Sequence, residues 1–373
     1  MSQKERWLLP EGIDELMPQQ AVQLETLRRK LLDKMQSWGY QLVFPPLVEY
    51  LDSLLTGTGK KLDLQTFKLT DQMSGRLMGI RADMTPQVAR IAAHNLRGQQ
   101  DVLRLCYIGN VLHTLPQGQG TSRNPIQLGA EIYGDTGPES DIEVLQLMVE
   151  IISCTDIATT LLLDIGHVGI YRGLAQHAGL DDAQEQELFS VLQRKAIAEI
   201  KALLTSYQLS DDSHIMLLAL AELNGGVEAL PQAKQALSNA PEQVQDALAT
   251  LQAIIDMAAK RLPNVAINFD LAELRGYHYH TGVVFAAYQP GSSQAIAMGG
   301  RYDDIGKDFG NAQPATGFSL DLKTIANQLP NVGEGKAAIS VAWSDDEAEQ
   351  QKVAQLRNQG EIVIYQLPEQ KSK

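Results

Sequence analysis

Apolar residues Leu24, Leu27, Leu31, Met35 and Trp38 recur three and four positions apart, the spacing that lines one face of a helix. With Pro18 at its opening and Gly39 just past its end, the pattern predicts a helix over 18–38. The period then shortens. A strand is expected over 40–44, and it runs into Pro45 and Pro46, which cannot donate to a ladder and so put that strand at a sheet edge or at its end. Segments 66–71 and 76–82 form an expected hairpin through Met73, Ser74 and Gly75. Thr85 before Pro86 is the expected N-cap of a helix continuing through Val88, Ile91 and Ala92. Strands follow at 102–112, 126–133 and 159–165, with a Gly- and Gln-rich loop over 116–125 and a helix over 140–154.

Between 169 and 262 the pattern predicts helices throughout, with Leu188, Leu192, Ile200 and Leu204, then Val244, Leu248, Leu251 and Ile255, marking core faces. Strand character returns at 264–271, 273–285 and 295–298, and a helix is expected over 317–329. After Asn331 come strand 337–343, helix 347–357 and strand 362–365, too little for a complete α/β domain. The expected division is 1–168, a helical insert over 169–262, 263–330, and a truncated C-terminal α/β fragment over 331–373. The class is α+β.

With 373 residues, 44% of them hydrophobic and 20% charged, the chain can build a core in two or three domains. Its net charge of -14 argues against a nucleic acid as main partner, because phosphate binding needs clustered Lys and Arg. Cys106 and Cys154 belong to no paired spacing and are expected as buried small hydrophobes in a reducing compartment. No run has the apolar length of a signal core or a membrane helix, so a cytoplasmic chain without a membrane partner is expected. Gly57-Thr58-Gly59-Lys60 lacks the first glycine of a phosphate loop and has Lys61 where a magnesium-binding hydroxyl belongs; it is expected as a plain loop.

Polar chemistry is densest over 273–285, Glu-Leu-Arg-Gly-Tyr-His-Tyr-His-Thr-Gly-Val-Val-Phe. In an extended strand Tyr277 and Tyr279 share one side, and His278 and His280 the other. Such rings also serve as ordinary strand packing. Arg275-Gly276 favours a pocket, since glycine lets backbone approach where a guanidinium is held. Without a third ligand at a familiar spacing, no metal is expected on the histidines. Asp83 falls at a strand-to-helix corner, a place for a binding residue or a turn cap alike. Gln127, Gly129 and Glu131 share one face of strand 126–133, where an acid is costly to bury unless it meets a cation or donors.

In order and wording, these pieces resemble the catalytic core of class II aminoacyl-tRNA synthetases, the histidyl enzymes in particular, over most of 8–329. The helix with Gly39-Tyr40 to Pro45-Pro46 is similar to motif 1. Tyr107-Ile108-Gly109 through Gln127-Leu128-Gly129-Ala130-Glu131 is similar to the motif 2 hairpin, and Gly299 to Asp303 with Gly317-Phe318 to the approach to motif 3. The resemblance implies an antiparallel sheet flanked by helices and a homodimer formed through motif 1. It also implies a histidine pocket: Asp83 and Thr85, joined by Gln127, at the α-amino group, Arg275 at the α-carboxylate, and Glu131, Tyr279 and His280 at the imidazole.

The departures fall on the ATP side. Where the family places a phosphate-gripping arginine and a glutamate in motif 2, this chain has His113 and Leu115, and Lys323 and Thr324 replace the Glu-Arg pair of motif 3. Losing one such group typically costs on the order of 3 kcal/mol of transition-state stabilisation, so activation of an amino acid is expected to be nearly abolished. The tRNA-reading domain is expected to be reduced to the fragment after Asn331.

A kept pocket with lost activation resembles the synthetase paralogues that serve as regulatory subunits of ATP phosphoribosyltransferase, as does the wording Asp83-Met84-Thr85-Pro86-Gln87-Val88-Ala89-Arg90 and Leu274-Arg275-Gly276-Tyr277-His278-Tyr279-His280-Thr281-Gly282. This implies a hetero-oligomer with a short-form catalytic subunit, L-histidine as allosteric ligand, no cofactor and no catalytic residue. Loop 115–124 is the candidate mobile element over bound histidine. Two other readings are a histidine-activating ligase or truncated histidyl-tRNA synthetase, and a sensor of uncharged tRNA; the lost phosphate cations argue against the first, and the net charge against the second.

Overall fold

The computed structural model describes residues 7–56, 60–116, 118, 121–155, 157, 160–272, 279–310, 312–329 and 337–367. The chain divides into two compact units, Met1–Gln328 and Leu329–Lys373. In chain order the strands of the first are β1 (Gln41–Leu42), β2 (Val48–Tyr50), β3 (Phe67–Thr70), β4 (Leu77–Ile80), β5 (Leu103–Asn110), β6 (Ile126–Tyr133), β7 (Leu161–His167), β8 (Asn224–Gly226), β9 (Val265–Asp270), β10 (Val283–Tyr288), β11 (Ala295–Arg301) and β12 (Ala315–Asp321). Strands β2, β4 and β3 make a small antiparallel sheet, and the others form one sheet in the order β1-β5-β6-β12-β11-β10-β7-β9-β8. From β5 to β7 every pairing is antiparallel. The flanks differ from the all-antiparallel expectation, since β1 runs parallel to β5 and β9 parallel to β7.

Helix Pro18–Ser37 buries Leu24, Leu27, Leu31 and Met35, the stripe that predicted it, each side chain contributing roughly 1.5–3 kcal/mol. It packs on helix Pro138–Ser153, which lies over β6, β11 and β12; helix Glu242–Arg261 continues the layer over β7 and β9. Along β6 the alternation buries Leu128, Ala130 and Ile132 on one face and leaves Gln127, Gly129 and Glu131 for the other. On that other face Met84, Val88 and Ala92 pack with Leu105, Tyr107 and Tyr133. The face away from the long helices therefore carries the polar residues.

Several expected elements are placed differently. Stretch 169–262 is not helical throughout, because Asn224-Gly225-Gly226 forms β8 against β9; with no apolar side chain it gives no periodic signal, and its ladder is made by backbone groups alone. The helix expected over 317–329 is the latter half of β12 followed by a short helix, Leu322–Ala326. β12 is paired on both sides and buried on both faces, which removes the alternation that marks a strand. Of the loop expected over 55–61, residues 57–59 lie outside the described residues, and Lys60 and Lys61 open a helix, Lys60–Gln65. Thr85 is the first residue of helix Thr85–Arg90, and the cap position belongs to Met84, which makes no side-chain cap. Of the strand expected over 273–285, regular pairing begins only at Val283; residues 273–278 lie outside the described residues.

The second unit is a β-α-β element. β13 (Ile339–Ala342) and β14 (Val363–Gln366) pair in parallel, joined through helix Glu347–Asn358. Asp346 caps that helix by accepting from Ala348 N, and Val353 and Val363 are buried.

Candidate functional site

The neighbours of β6 decide what its polar face meets. In register, Tyr107 of β5 pairs with Gly129, and Gly317 of β12 pairs with Glu131. A Cβ at 129 would fall into the Tyr107 ring and one at 317 onto the Glu131 carboxyl, so each glycine leaves room for the other strand's side chain. Tyr107 then donates its hydroxyl to Glu131 Oε1 at 2.9 Å. Tyr302, which follows β11, donates to Oε2, and Thr85 Oγ1 donates to Oε1 at 3.3 Å. Thr85 Oγ1 also lies 2.9 Å from the Tyr107 hydroxyl oxygen.

Glu131 is 1% exposed, and these partners are hydroxyls without charge. Burial raises its pKa well above the usual carboxylate range; the bonds from Tyr107 and Thr85 oppose this, and the nearby Asp83 charge adds to it. Such a carboxyl holds a proton or a cationic partner more readily than a bare charge. Burial pushes the Tyr107 and Tyr133 hydroxyls up for the same reason.

Asp83 stands at the start of the neighbouring helix. Its Oδ1 accepts Thr85 N at 2.9 Å and Gln127 Nε2 at 2.8 Å, while Gln127 Oε1 accepts Met84 N at 2.8 Å. Asp83, Thr85, Gln127 and Glu131, named from the sequence, thus form one connected network. His280 is buried, with its ring centre 6.3 Å from that of Tyr302 and 4.2 Å from that of Tyr279. Tyr279 keeps 45% of its surface exposed, yet its hydroxyl is raised above a phenol's usual pKa, first by the protein around it and then by the Asp83 and Glu131 charges. Arg275, expected at the α-carboxylate, lies outside the described residues.

Sequence reasoning missed Tyr107 and Tyr302. The signal for the first was Gly129, set between Gln127 and Glu131 on their own face, where a missing side chain admits a ring from the next strand. For the second it was the run Gly299-Gly300-Arg301-Tyr302-Asp303 itself.

His113 is buried and donates Nε2–H to Ala82 O at 2.9 Å, and burial lowers its pKa, so it is neutral at pH 7. Arg123 donates from Nε to His113 O at 3.0 Å and from Nη1 to Glu11 O at 2.9 Å. Lys323, also buried, donates to Asp14 Oδ1 at 3.2 Å, and Thr324 donates to Asp321 Oδ2 at 2.7 Å. Asp14 is held further by Ser122 Oγ at 2.6 Å and by Asn124 Nδ2, which donates to its carbonyl at 2.9 Å. The described end of loop 115–124 is therefore fastened to residues 11–14. Among the described residues no group of His, Cys, Asp or Glu could hold a metal ion, and no helix is long and apolar enough to cross a membrane.

A histidyl-tRNA synthetase family model matches residues 12–325. A crystal structure from Bacillus halodurans, described as an ATP phosphoribosyltransferase regulatory subunit/histidyl-tRNA synthetase, superposes with a TM-score of 0.87 at 27% identity, covering 100% of this chain and 96% of that one. Fold and family model together define a class II synthetase-like protein of the histidyl type. Within that class the sequence comparisons discriminate. The chain is 55% identical over 372 residues to the ATP phosphoribosyltransferase regulatory subunit of Alkalilimnicola ehrlichii, covering 99% of this chain and 92% of that protein. It is 54% identical over 365 residues to that of Nitrosococcus oceani, covering 98% and 91%. The chain belongs to the family of ATP phosphoribosyltransferase regulatory subunits. Residues 336–373, expected to be a remnant of a tRNA-reading domain, match a domain family in their own right, the ATP phosphoribosyltransferase subunit HisZ C-terminal domain.

Proposed function

We propose that L-histidine binds at the Glu131 network and that the chain, in a hetero-oligomer with a short-form catalytic subunit, activates the first step of histidine biosynthesis and transmits feedback inhibition. The observation that carries this is Glu131 itself, an acid held in the core by hydroxyls alone among its described hydrogen-bond partners. A histidine side chain can offer what those three hydroxyls do not, a ring N–H that carries or shares positive charge. Asp83, with Gln127 fixed against it, offers an anionic acceptor to the α-amino group. Histidine inhibits at a distance to the extent that it binds the inhibited arrangement more tightly, typically by 1 to 3 kcal/mol.

The chain is proposed not to activate histidine itself. Three features support this: His113 is neutral, Lys323 is turned to Asp14, and Thr324 to Asp321. Adenylate formation needs free cations where phosphate charge develops. A homodimer is proposed through the β1 end of the sheet, where Phe44 is 69% exposed and Leu42 and Leu47 are exposed beside it.

The test is the rate of phosphoribosyl-ATP formation by a short-form catalytic subunit alone, with this chain, and with this chain plus L-histidine. A rise on addition, reversed by histidine, is expected, and Glu131→Gln should move the inhibitory concentration upward about tenfold or more. ATP–pyrophosphate exchange with histidine should stay at background. No rise on addition, or robust exchange, would return the chain to the synthetase-like ligases.

A further inference from the structure

At the end of β11, Arg301, Tyr302 and Asp303 send their side chains to three different sets of partners, and Arg301 Nη1 also donates to Asp303 Oδ1 at 3.4 Å. Arg301 is buried against the start of helix Pro138–Ser153, donating from Nε to Asp141 Oδ2 at 3.2 Å, from Nη1 to Asp135 O at 2.9 Å, and from Nη2 to Gly137 O at 3.0 Å and Ser140 Oγ at 2.8 Å. Tyr302 donates to Glu131. Asp303 meets Thr281: the threonine hydroxyl donates to Asp303 Oδ2 at 3.0 Å, and Asp303 N donates back to Thr281 Oγ1 at 3.0 Å.

The last of these closes a ring. Thr281 follows His280 and Asp303 follows Tyr302, so the Thr281–Asp303 link joins two neighbouring chain segments beside the point where the His280 and Tyr302 rings approach to 6.3 Å. The backbone around it is fastened as well, with Thr281 N donating to Arg301 O at 2.8 Å, Val168 N to Gly282 O at 3.0 Å, and Arg172 Nη2 to His280 O at 3.1 Å. The Asp303 carboxylate is itself fixed, since Oδ1 accepts Ala315 N at 3.1 Å. Ala315 opens β12, the strand whose Gly317 admits Glu131.

We propose that Asp303, acting through Thr281, is the positioning residue that sets Tyr279 and His280 against the Tyr302–Glu131 pair, and so governs histidine affinity without touching histidine. This rests on the reading of the Glu131 network as the histidine site. The weight of the fold at this corner is carried by Arg301, which besides Asp303 holds Asp135, Gly137, Ser140 and Asp141, whereas Thr281, which Arg301's side chain does not bond, is half-buried and Val nearly matches its shape. Removing the hydroxyl loosens the recognition side chains and leaves the sheet intact.

Calorimetric titration of the full chain with L-histidine tests this with Thr281→Val, Thr281→Ser, Asp303→Asn and Glu131→Gln, alongside the affinity of each variant for the catalytic subunit. Thr281→Val and Asp303→Asn should each raise the histidine Kd about tenfold, and Thr281→Ser should stay within about threefold of wild type, because it keeps the hydroxyl. Affinity for the catalytic subunit should not move with them. Wild-type histidine binding in both Thr281→Val and Asp303→Asn, when Glu131→Gln binds weakly, overturns the positioning role; so does a Thr281→Val that weakens histidine and subunit binding in equal proportion. If Glu131→Gln binds histidine as wild type does, the site reading falls and this proposal falls with it.

Discussion

Gly317 of β12 stands opposite Glu131 of β6, and the missing side chain at one position is what admits the carboxyl at the other. The Cβ of an alanine at 317 would overlap that carboxyl and come within 2.8 Å of Ala130 O, in a part of the sheet where both strands are paired on both sides. Overpacking of this kind costs about 1–3 kcal/mol. Gly317→Ala should lower the urea midpoint by a corresponding amount and weaken histidine binding, whereas Gly118→Ala, whose Cβ meets only ordinary contact at 3.6 Å, should leave the urea midpoint unchanged.

Glu131 should leave a signature in the pH dependence of stability. Burial puts its pKa above the unfolded value near 4.3, so the folded state holds the proton more tightly. Its contribution is fully present below that unfolded value and is lost as pH rises through the folded one. Glu131→Gln has no proton to lose. Measured without histidine, the Tm of Glu131→Gln minus that of wild type should increase from pH 5 to pH 8, and a flat difference would refute the raised pKa.

His167 acts in the opposite sense. Its Nδ1 accepts Gly169 N at 3.1 Å, capping helix Val168–His177, and burial, followed by the Arg172 and Arg301 charges, pushes its pKa down to about 4. The unfolded chain binds a proton near pH 6.5, so stability is present above that value and is lost as pH falls toward 4, by on the order of 3 kcal/mol. Asp141, pushed up to about 6 by burial despite Arg301, slopes the other way across much of the same window. The whole-protein curve mixes the two. Subtraction isolates the histidine: His167→Asn, which can still cap, should lose less stability than wild type between pH 7 and pH 4.

The exposed apolar side chains at the β1 end give a hydrodynamic prediction. Phe44→Lys replaces an exposed ring with a charge that is costly to bury in a contact between chains. Sedimentation velocity should show wild type as a dimer and Phe44→Lys shifted to monomer, with an unchanged circular dichroism spectrum. A wild-type monomer would remove the β1 contact from the proposal.

Side-chain pattern made some of this architecture legible and hid the rest. Helix Pro18–Ser37 was plain because it buries one stripe and exposes the other, and β6 because its two faces differ. β12 is buried on both faces, so its part from Gly317 onward reads as helix in the sequence, and β8 is silent because it has almost no side chains. At the site, Asp83, Thr85, Gln127 and Glu131 could be named because the resemblance carried their positions. Tyr107 and Tyr302 were not, because what brings Tyr107 to Glu131 is the register of β5 on β6, hinted at by Gly129, and what brings Tyr302 there is packing across the sheet from the end of β11, hinted at by the run Gly299 to Asp303.

The two ends of the large sheet are not equivalent. At one end β1 is followed by Phe44 and Leu47; at the other, β8 offers Asn224 and two glycines. A sheet able to add a neighbour at both edges would grow head to tail into open filaments. The proposed contact uses apolar side chains that only the β1 end carries, so a pair formed through it would match that end with its own copy and close at two chains.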